Sequence, residues 1–474
     1  MTLKSKTSRF GLKSAVLAAC LSVTGAAQGA AETLTDALIG AFNHSGLLDQ
    51  NRALLRAADE DVAIAMAALR PIINWSGSVS QNFSRSANAA TGGAGVNSNS
   101  TAATIGVSAE LVLYDFGQSQ FAIEAAKETV LATRERLISV EQNVLLRAIA
   151  AFMNVRRSIE VVALRRNNVR VITQELRAAR DRFEVGEITR TDVALAEARL
   201  AAARSALAAA EGDYIQATEE YRAAVGRKPG QLVPPRGLPR TASSVEEGKR
   251  IAVRTHPDLK AAQHDVAAAD LNIARAEAAV KPRVTLGGQL SVTENFNSSN
   301  FSRGGSVSLG ASGPIYQGGR LSALQRQAMA RRDATRSGLH VTRHQIEQNV
   351  GNAFALLRVA SASRDASERQ IRAARVAFRG VREEASVGSR TTLDVLNAEQ
   401  ELLDAQASLI SVQTDEFIAA YQALAAMGLL TARHLDLPVQ HYDPAAYYNL
   451  VKDAPTRSQQ GDKLDRVLRA LGKN

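Results

Sequence analysis

Two long helical patterns are separated by a short turn sequence, Ser386-Val387-Gly388-Ser389-Arg390-Thr391-Thr392-Leu393-Asp394-Val395-Leu396-Asn397. A related stretch lies upstream, Glu184-Val185-Gly186-Glu187-Ile188-Thr189-Arg190-Thr191-Asp192-Val193. The shared glycine, threonine and aspartate keep a constant separation of 202 positions, as in Gly186 and Gly388, Thr189 and Thr391, and Asp192 and Asp394. This spacing predicts a chain built from two tandem repeats.

Long helices are predicted on both sides of each turn. Residues 118–185 contain no proline and no internal glycine, and residues 320–387 repeat the same length. At 1.5 Å per residue each would form one helix of roughly 100 Å. Apolar residues recur at every seventh position of the first (Leu131, Ile138, Leu145, Phe152, Ile159), which indicates a coiled-coil seam. Shorter, alanine-rich return helices are predicted at 190–225 and 392–427.

A pair of strands is predicted before each long helix, because apolar and polar residues alternate there with a period of two. The strands cover about 72–84 and 103–114 in the first repeat, and about 283–294 and 304–315 in the second. Residues 86–100, rich in glycine, asparagine, serine and alanine, are predicted to form a flexible outer loop. Each strand is long enough to cross a bilayer at a tilt, which takes roughly nine to eleven residues. The alternative is a sandwich with one wet face.

The membrane interpretation requires several copies of the chain. Four strands cannot close a barrel, and an open sheet edge is not tolerated in lipid. Two copies would pool eight strands and three would pool twelve. Because side chains fill the interior of an eight-stranded barrel, an open conduit favours three copies or more.

Residues 1–31 are predicted to be an export signal. Lys4, Lys6, Arg9 and Lys13 form its basic region, and an apolar stretch and small residues follow. The segment ending at Cys20 also fits a lipoprotein box, but its apolar stretch is short, so we favour cleavage without lipidation. Since Cys20 is the only cysteine, the mature chain is predicted to have no disulfide.

Charge and hydropathy exclude two classes of protein. Removing the signal takes away four basic residues and no acidic ones, so the net charge falls from +10 to +6. No basic stripe interleaved with aromatic residues is present, and we therefore predict no nucleic-acid partner. After the signal no run of 18 apolar residues occurs, so no helical membrane span is predicted.

The repeats predict a division of the mature chain into three parts. Repeat 1 covers residues 32–240 and repeat 2 covers 241–430, with a C-terminal tail at 431–474. Within the tail, residues 456–463 are predicted to be disordered and 464–471 to form a last helical piece.

These motifs together resemble the TolC family of trimeric outer-membrane exit ducts. The resemblance covers the mature chain to about Tyr448. Its most specific elements are the doubled Val-Gly-x-x-Thr-x-x-Asp turns, the prolines before each hairpin and the strand ends, here Pro71, Pro282, Leu113-Tyr114-Asp115-Phe116-Gly117 and Ile315-Tyr316-Gln317-Gly318-Gly319-Arg320. The tail from Leu437-Pro438 to Tyr442-Asp443-Pro444 is similar to that of members serving type I protein secretion.

The resemblance implies a mainly α fold with membrane β-strands, which trimerises into a 12-stranded barrel joined to an α-helical periplasmic cylinder. It implies an outer-membrane location, a homotrimer, a periplasmic membrane-fusion adaptor and an inner-membrane ABC transporter or RND-type pump. The function expected first is a passive exit duct for type I protein secretion. The alternatives are the outer component of a multidrug efflux pump and, in a different class, a soluble periplasmic coiled-coil scaffold or adaptor.

The two turns are predicted to begin helices with capping boxes. Thr189 and Thr391 would each accept from a backbone amide, and Asp192 and Asp394 would return a hydrogen bond and face the positive end of the helix. The first turn also pairs Ile188 with Val193 in the pattern of a hydrophobic staple.

The second turn has Arg390 in place of that isoleucine, and the resemblance implies a functional role for it. Arg390 would bind Asp192 of the other turn and hold the periplasmic entrance shut, and Asp394 would line the pore in a ring of three. A second pore aspartate and a tyrosine of the family pattern are replaced here by Asn397 and Ala385. The predicted gate is therefore simpler than that of its relatives.

The tips of the turns are expected to contact the adaptor through Val185, Gly186, Thr189, Val387, Gly388 and Thr391. Other chemistry is not indicated. His340 and His344 have the spacing of a helical metal pair, but no third ligand is evident, so they are interpreted as surface residues. No phosphate-binding loop or nucleophile elbow is present, and we predict neither enzyme activity nor a cofactor.

Overall fold

The computed structural model describes residues 31–87, 92–93, 95–453 and 459–470. The predicted signal lies outside the described residues except for Ala31, and Cys20 lies outside them as well.

The same order of elements occurs twice along the chain. The first repeat contains β1 Ala31–Glu32, α1 Leu34–His44, α2 Gly46–Ala67, β2 Ile72–Ser86, β3 Val96–Tyr114, α3 Gln118–Glu184 and α4 Arg190–Val225. The second contains β4 Gln231–Leu232, α5 Val245–Thr255, α6 Pro257–Ala278, β5 Arg283–Asn295, β6 Phe301–Ser312, α7 Arg320–Ser386 and α8 Thr392–Ala426. The tail adds α9 Pro444–Val451 and α10 Gln459–Ala470. This order confirms the predicted fold class of two tandem helix, hairpin, long helix and helix repeats.

The helices have the lengths that their sequences favour. α3 and α7 each have 67 residues, or roughly 100 Å at 1.5 Å per residue. The rising helical segment of the first repeat is broken at Ser45, whose side chain accepts from the backbone N–H of Leu48 and caps α2. None of the described helices is both long and apolar enough to cross a membrane.

The two hairpins form one antiparallel sheet in the order β2-β3-β5-β6. Trp75 lies opposite Val107, and Val107 lies opposite Leu290, so these residues share one face of the sheet. Trp75 is 80% exposed and Val307 of β6 is 82% exposed. The predicted alternation of apolar and polar faces is therefore present, and the apolar face is uncovered in the single chain.

Two predicted strand boundaries differ from the structure. The second strand begins at Val96 instead of 103, because Val96–Ser100 continue the backbone ladder opposite β2 without an apolar alternation. Six of the fifteen residues predicted as loop, Ser86 and Val96–Ser100, thus lie in strands. The fourth strand covers Phe301–Ser312 instead of 304–315. It ends there because the next residue, Gly313, lies against Pro282, which has no N–H to donate to the ladder.

The chain divides into two compact units that cut across the repeats. One unit takes the residues up to His44, Arg147–Pro239 and Ala360–Ile418, and the other takes the remainder. The predicted boundaries of the sequence repeats, at residues 240 and 430, are therefore not boundaries between these units and stay a prediction. Each repeat contributes residues to both compact units.

Each unit has its own apolar core. In the first, small and branched residues of α3, α4 and α8 pack together (Ile172, Leu176, Ala179, Ala196, Leu200, Ala203, Leu396). In the second, Leu55 and Val62 of α2 pack with Val130 of α3, and Tyr442 and Tyr448 of the tail cover them.

The end of the tail departs from its prediction. Gln459–Ala470 form α10, so the prediction of disorder for 459–463 is wrong, while 456–458 and Leu471 lie outside the described residues. An α-helix is available to this polar segment because its hydrogen bonds lie within the backbone and do not require an apolar sequence.

Candidate functional site

Both turns reverse the chain through a glycine in the left-handed region. Gly186 has φ +80° and Gly388 has φ +78°, and a Cβ at either would meet nothing within 4 Å. The N–H of Glu187 donates to the carbonyl of Arg182 at 2.9 Å, and that of Ser389 donates to the carbonyl of Glu384 at 3.0 Å. These bonds end α3 and α7 in the same way. The glycines are needed for their backbone angle and not for lack of space.

The predicted capping boxes are present in both turns. In the first, Thr189 donates from its N–H (2.9 Å) and its hydroxyl (2.7 Å) to Oδ2 of Asp192. In the second, Thr391 donates to Oδ2 of Asp394 at 3.0 and 2.8 Å. Each aspartate returns a bond from its own N–H to the threonine hydroxyl, at 3.4 and 3.2 Å. These capping predictions are confirmed.

The caps also lower the pKa of both aspartates. The hydroxyl and N–H of Thr189 hold the pKa of Asp192 below its ordinary value. The N–H and hydroxyl of Thr391, helped by the nearby Arg390, do the same for the pKa of Asp394. Both carboxylates are therefore ionised near neutral pH, and each faces the positive end of a helix.

The two turns differ on their apolar side, as the sequence indicated. In the first turn Ile188 and Val193 both pack against the core of α3 and α4. In the second turn the corresponding residue is Arg390, whose Nε donates to Oε2 of Glu384 at 2.8 Å. Both side chains of this ion pair are about half-exposed, so water screens it and it contributes little to stability.

The predicted pairing of Arg390 with Asp192 is not formed in the described chain. Glu384 of the same turn binds Arg390, and Asp192 is occupied by its own cap. The physical reason is proximity, because Glu384 lies only six residues before Arg390. A latch that joins the two turns stays a prediction.

Asn397 takes part in a contact that the sequence did not reveal. Nη2 of Arg199 on α4 donates to its side-chain oxygen at 2.7 Å. The contact joins the return helices of the two repeats, across 198 positions of the chain. No periodicity or motif singles out Arg199, so only the structure identifies it. The pore-lining role predicted for Asn397 stays a prediction.

The residues predicted to meet an adaptor lie at exposed tips. Val185 is 71% exposed and Val387 is 79% exposed, beside the two turn glycines. Thr189 and Thr391 follow, and both are engaged in caps. Each long helix therefore ends with an apolar side chain that is exposed to water in the single chain and could be buried by a partner.

The histidine pair offers no metal site within the described residues. His340 and His344 are both exposed on α7, and the nearest acid to His344 is Glu347, at 3.9 Å. Among the residues that the structure describes, no group of three or more histidine, cysteine or acidic side chains is placed to hold an ion.

A sheet with one uncovered apolar face, continued by roughly 100 Å helices that reverse at capped turns, defines the class of outer-membrane channel proteins with a helical periplasmic part. Comparisons with known proteins agree. The family model described as "Outer membrane efflux protein" matches residues 41–227 and 250–428. The chain belongs to this family, the TolC family.

Individual relatives cover most of the chain. The outer membrane efflux protein BepC of Brucella suis is 37% identical over 441 residues, which are 93% of this chain and 94% of the relative. The alkaline protease secretion protein AprF of Pseudomonas aeruginosa is 25% identical over 66% of this chain and 67% of its own. The crystal structure of the Campylobacter jejuni CmeC outer membrane channel has the same fold, with a TM-score of 0.74 at 15% identity over 90% of each chain.

Family membership establishes the general function. The protein is an outer-membrane efflux channel of tripartite systems in a Gram-negative envelope, and it extends into the periplasm. Members of the family are passive channels and not enzymes. The alternative of a soluble periplasmic scaffold or adaptor is thereby set aside.

Proposed function

We propose that three copies of this chain form one duct, with twelve strands pooled in a barrel and the long helices around a common conduit. The observation that carries the proposal is the sheet, whose edge strands β2 and β6 each leave one side of their backbone unpaired. Lipid does not tolerate such edges, so further copies must supply the missing hydrogen bonds. Eight strands would leave no open lumen, which favours three copies over two.

We propose that this duct is closed at the turns by Arg390 and Asp192, with Asp394 and Asn397 beside the constriction. Three ionised Asp394 side chains would favour cations and deter anions. Support comes from the exposed position of Arg390 and from its weak pairing with Glu384, which a stronger partner can replace. In a trimer, Asp192 of the same or another copy can serve as that partner through Oδ1, because the bonds from Thr189 go to Oδ2.

Single-channel conductance in planar bilayers tests the gate. Arg390→Ser should raise the conductance above that of the parent, and Asp192→Asn should do the same. Arg190→Ser is the matched control, because it removes an exposed arginine from the first turn. A conductance equal to the parent's for Arg390→Ser would refute the latch. If Glu384→Gln opens the channel and Asp192→Asn does not, the pair within one turn is the operative one.

We further propose that Val185, Gly186 and Thr189, with Val387, Gly388 and Thr391, receive a periplasmic adaptor that links the duct to an ABC or RND-type pump. The only cysteine of the chain lies in the predicted signal, so single-cysteine variants give clean crosslinks. Val387→Cys should capture the adaptor, and Val341→Cys, exposed in the middle of α7, should not. Capture from Val341→Cys alone would contradict the proposal.

For the exported substrate we propose small-molecule efflux first and type I protein secretion second. The efflux relative BepC matches 93% of the chain at 37% identity, whereas the secretion relative AprF matches 66% at 25%. This order reverses the one suggested by the tail. The second candidate keeps its support from AprF and from that tail, whose Tyr442 and Tyr448 pack on α2 and α3.

Deletion of the gene in its own host separates the two candidates. Efflux predicts a loss of resistance to dyes and detergents, with an unchanged set of secreted proteins, and restoration by the wild-type gene. Loss of secreted proteins without a change in resistance would instead establish the second candidate. If neither property changed, both substrate proposals would be wrong.

A further inference from the structure

Two ion-pair positions repeat along the chain but are used differently. In the first repeat Arg180 and Glu197 form an exposed pair at 2.6 Å. Their counterparts 202 positions later are Arg382 and Glu399. Arg382 instead lies 3.6 Å from Glu175 of α3, and Glu399 turns to Asn168 of α3. Among the described residues, Glu399 therefore forms no ion pair, whereas its counterpart Glu197 is paired with Arg180.

Glu399 is buried in its new position. It is 7% exposed and Asn168 is 5% exposed, so more than nine-tenths of each is shielded from water. Nδ2 of Asn168 donates to Oε1 of Glu399 at 3.3 Å, whereas the buried Oε2 has no hydrogen-bond partner within the described chain. An ionised carboxylate in this position would lack the bonds that normally compensate its desolvation.

The surroundings of Glu399 explain which charge state the packing favours. Burial, followed by the like charge of Glu175, raises the pKa of Glu399 to about 7, against smaller opposing effects from Asn168 and Arg382. From α4, Arg199 faces the same helix but is bound to Asn397. Glu399 therefore changes charge near neutral pH, while its exposed counterpart in the first repeat is held in an ordinary ion pair.

We propose that Glu399 is a proton-operated switch, which loosens the packing of α8 on α3 near the second turn when it ionises. The inference rests on the proposed duct and adds a regulation to it. Glu399 lies five residues beyond Asp394 on α8, and its neighbour Leu396 is buried in the core formed by α3 and α4. A charge created at Glu399 acts directly on the contact between the repeats that positions the second turn.

The sign of the effect follows from the raised pKa. Protonated Glu399 stabilises the packed state fully below its ordinary pKa of 4.5, and this contribution is lost as the pH rises through about 7. The periplasmic end of the duct is therefore tighter in acid and looser in alkaline medium.

Planar-bilayer recordings at about pH 5.5 and about pH 8.5 test the switch, since these values lie on either side of the raised pKa and away from that of an ordinary glutamate. The wild-type conductance should be higher at the alkaline value. Glu399→Gln should remove the difference and hold the low conductance at both. Glu197→Gln, the matched change in the exposed counterpart, should keep the wild-type dependence.

A second variant tests the switch even if Glu399→Gln fails to fold. Glu175→Gln removes the like charge, so the midpoint of the conductance change should move to lower pH while the amplitude is kept. An unchanged midpoint would overturn the assignment, as would a Glu399→Gln channel that still responds to pH. Wild-type channels with no response to pH would refute the switch and leave the duct intact. Absence of any wild-type channel would overturn the duct and the switch together.

Discussion

Replacing Glu32 by alanine should release the N-terminal segment of the mature chain. The Glu32 carboxylate is 7% exposed and accepts four hydrogen bonds. Tyr221 donates its hydroxyl at 2.6 Å, Arg227 donates from Nε and Nη2 at 2.9 and 2.7 Å, and Gly230 donates its N–H at 2.8 Å. The backbone of Glu32 meanwhile pairs β1 with β4 over only two residues.

The magnitude follows from the groups left behind. In Glu32→Ala the hydroxyl of Tyr221, which is 0% exposed, loses its partner inside the protein, at a cost of about 1–3 kcal/mol. Gly230 is exposed, so its N–H regains water and adds little. Arg227 is 53% exposed and regains water, so its loss adds little. A two-residue strand pair cannot offset this cost. The segment of β1 and α1 should therefore open locally.

Hydrogen exchange followed by mass spectrometry measures this opening. Peptides that cover β1 and β4 should exchange about 30-fold faster in Glu32→Ala, since about 2 kcal/mol, the middle of the expected range, corresponds to that factor. The control is Glu220→Ala. It breaks the exposed pair between Glu220 of α4 and Arg147 of α3 and should change exchange by less than about fivefold. Equal exchange in the two variants would refute the reasoning.

The same network predicts a response to acid. Burial alone would raise the pKa of Glu32, but the bonds from Tyr221, Gly230 and Arg227 outweigh it and hold the pKa below its ordinary value. A depressed pKa means that the stabilisation is present above about 4.5 and is lost as the pH falls through the lower folded value. Exchange in β1 and β4, expressed relative to the intrinsic exchange rate at each pH, should accelerate there in the parent and not in Glu32→Ala.

Three further substitutions test the turns and the caps. Gly428→Ala would place its Cβ 2.6 Å from Cα of His256 at φ +74°, so backbone must shift and thermal stability should fall sharply. Gly388→Ala meets open space and should cost only the left-handed strain, about 1–2 kcal/mol. Equal melting temperatures would contradict this difference. Asp394→Ala removes the bonds with Thr391 and should give faster amide exchange at the turn than in the parent. Unchanged exchange would mean that the cap contributes nothing.

Sequence reasoning succeeded wherever an interaction is local. The boxes of Thr189 with Asp192 and of Thr391 with Asp394 join residues three positions apart, and the turn glycines are required by the backbone itself. The partner of Arg390 in the single chain, Glu384, is also near in sequence, but no motif of fixed spacing selects it. Asp394 is a second acid that acts on Arg390, and spacing alone does not rank either acid against a residue of the other turn.

The sequence by itself determined the repeat of 202 positions, the helix and strand types, the face of each strand and the capped turns. These follow from periodicity and short-range hydrogen bonding, which act within a few residues. Only the tertiary structure decided that Glu399 is buried on Asn168 and that Glu32 is bound by Tyr221. Those pairs are 231 and 189 positions apart. Their environment is set by the packing of whole helices, and the charge of a carboxylate depends on that environment more than on its neighbours in sequence.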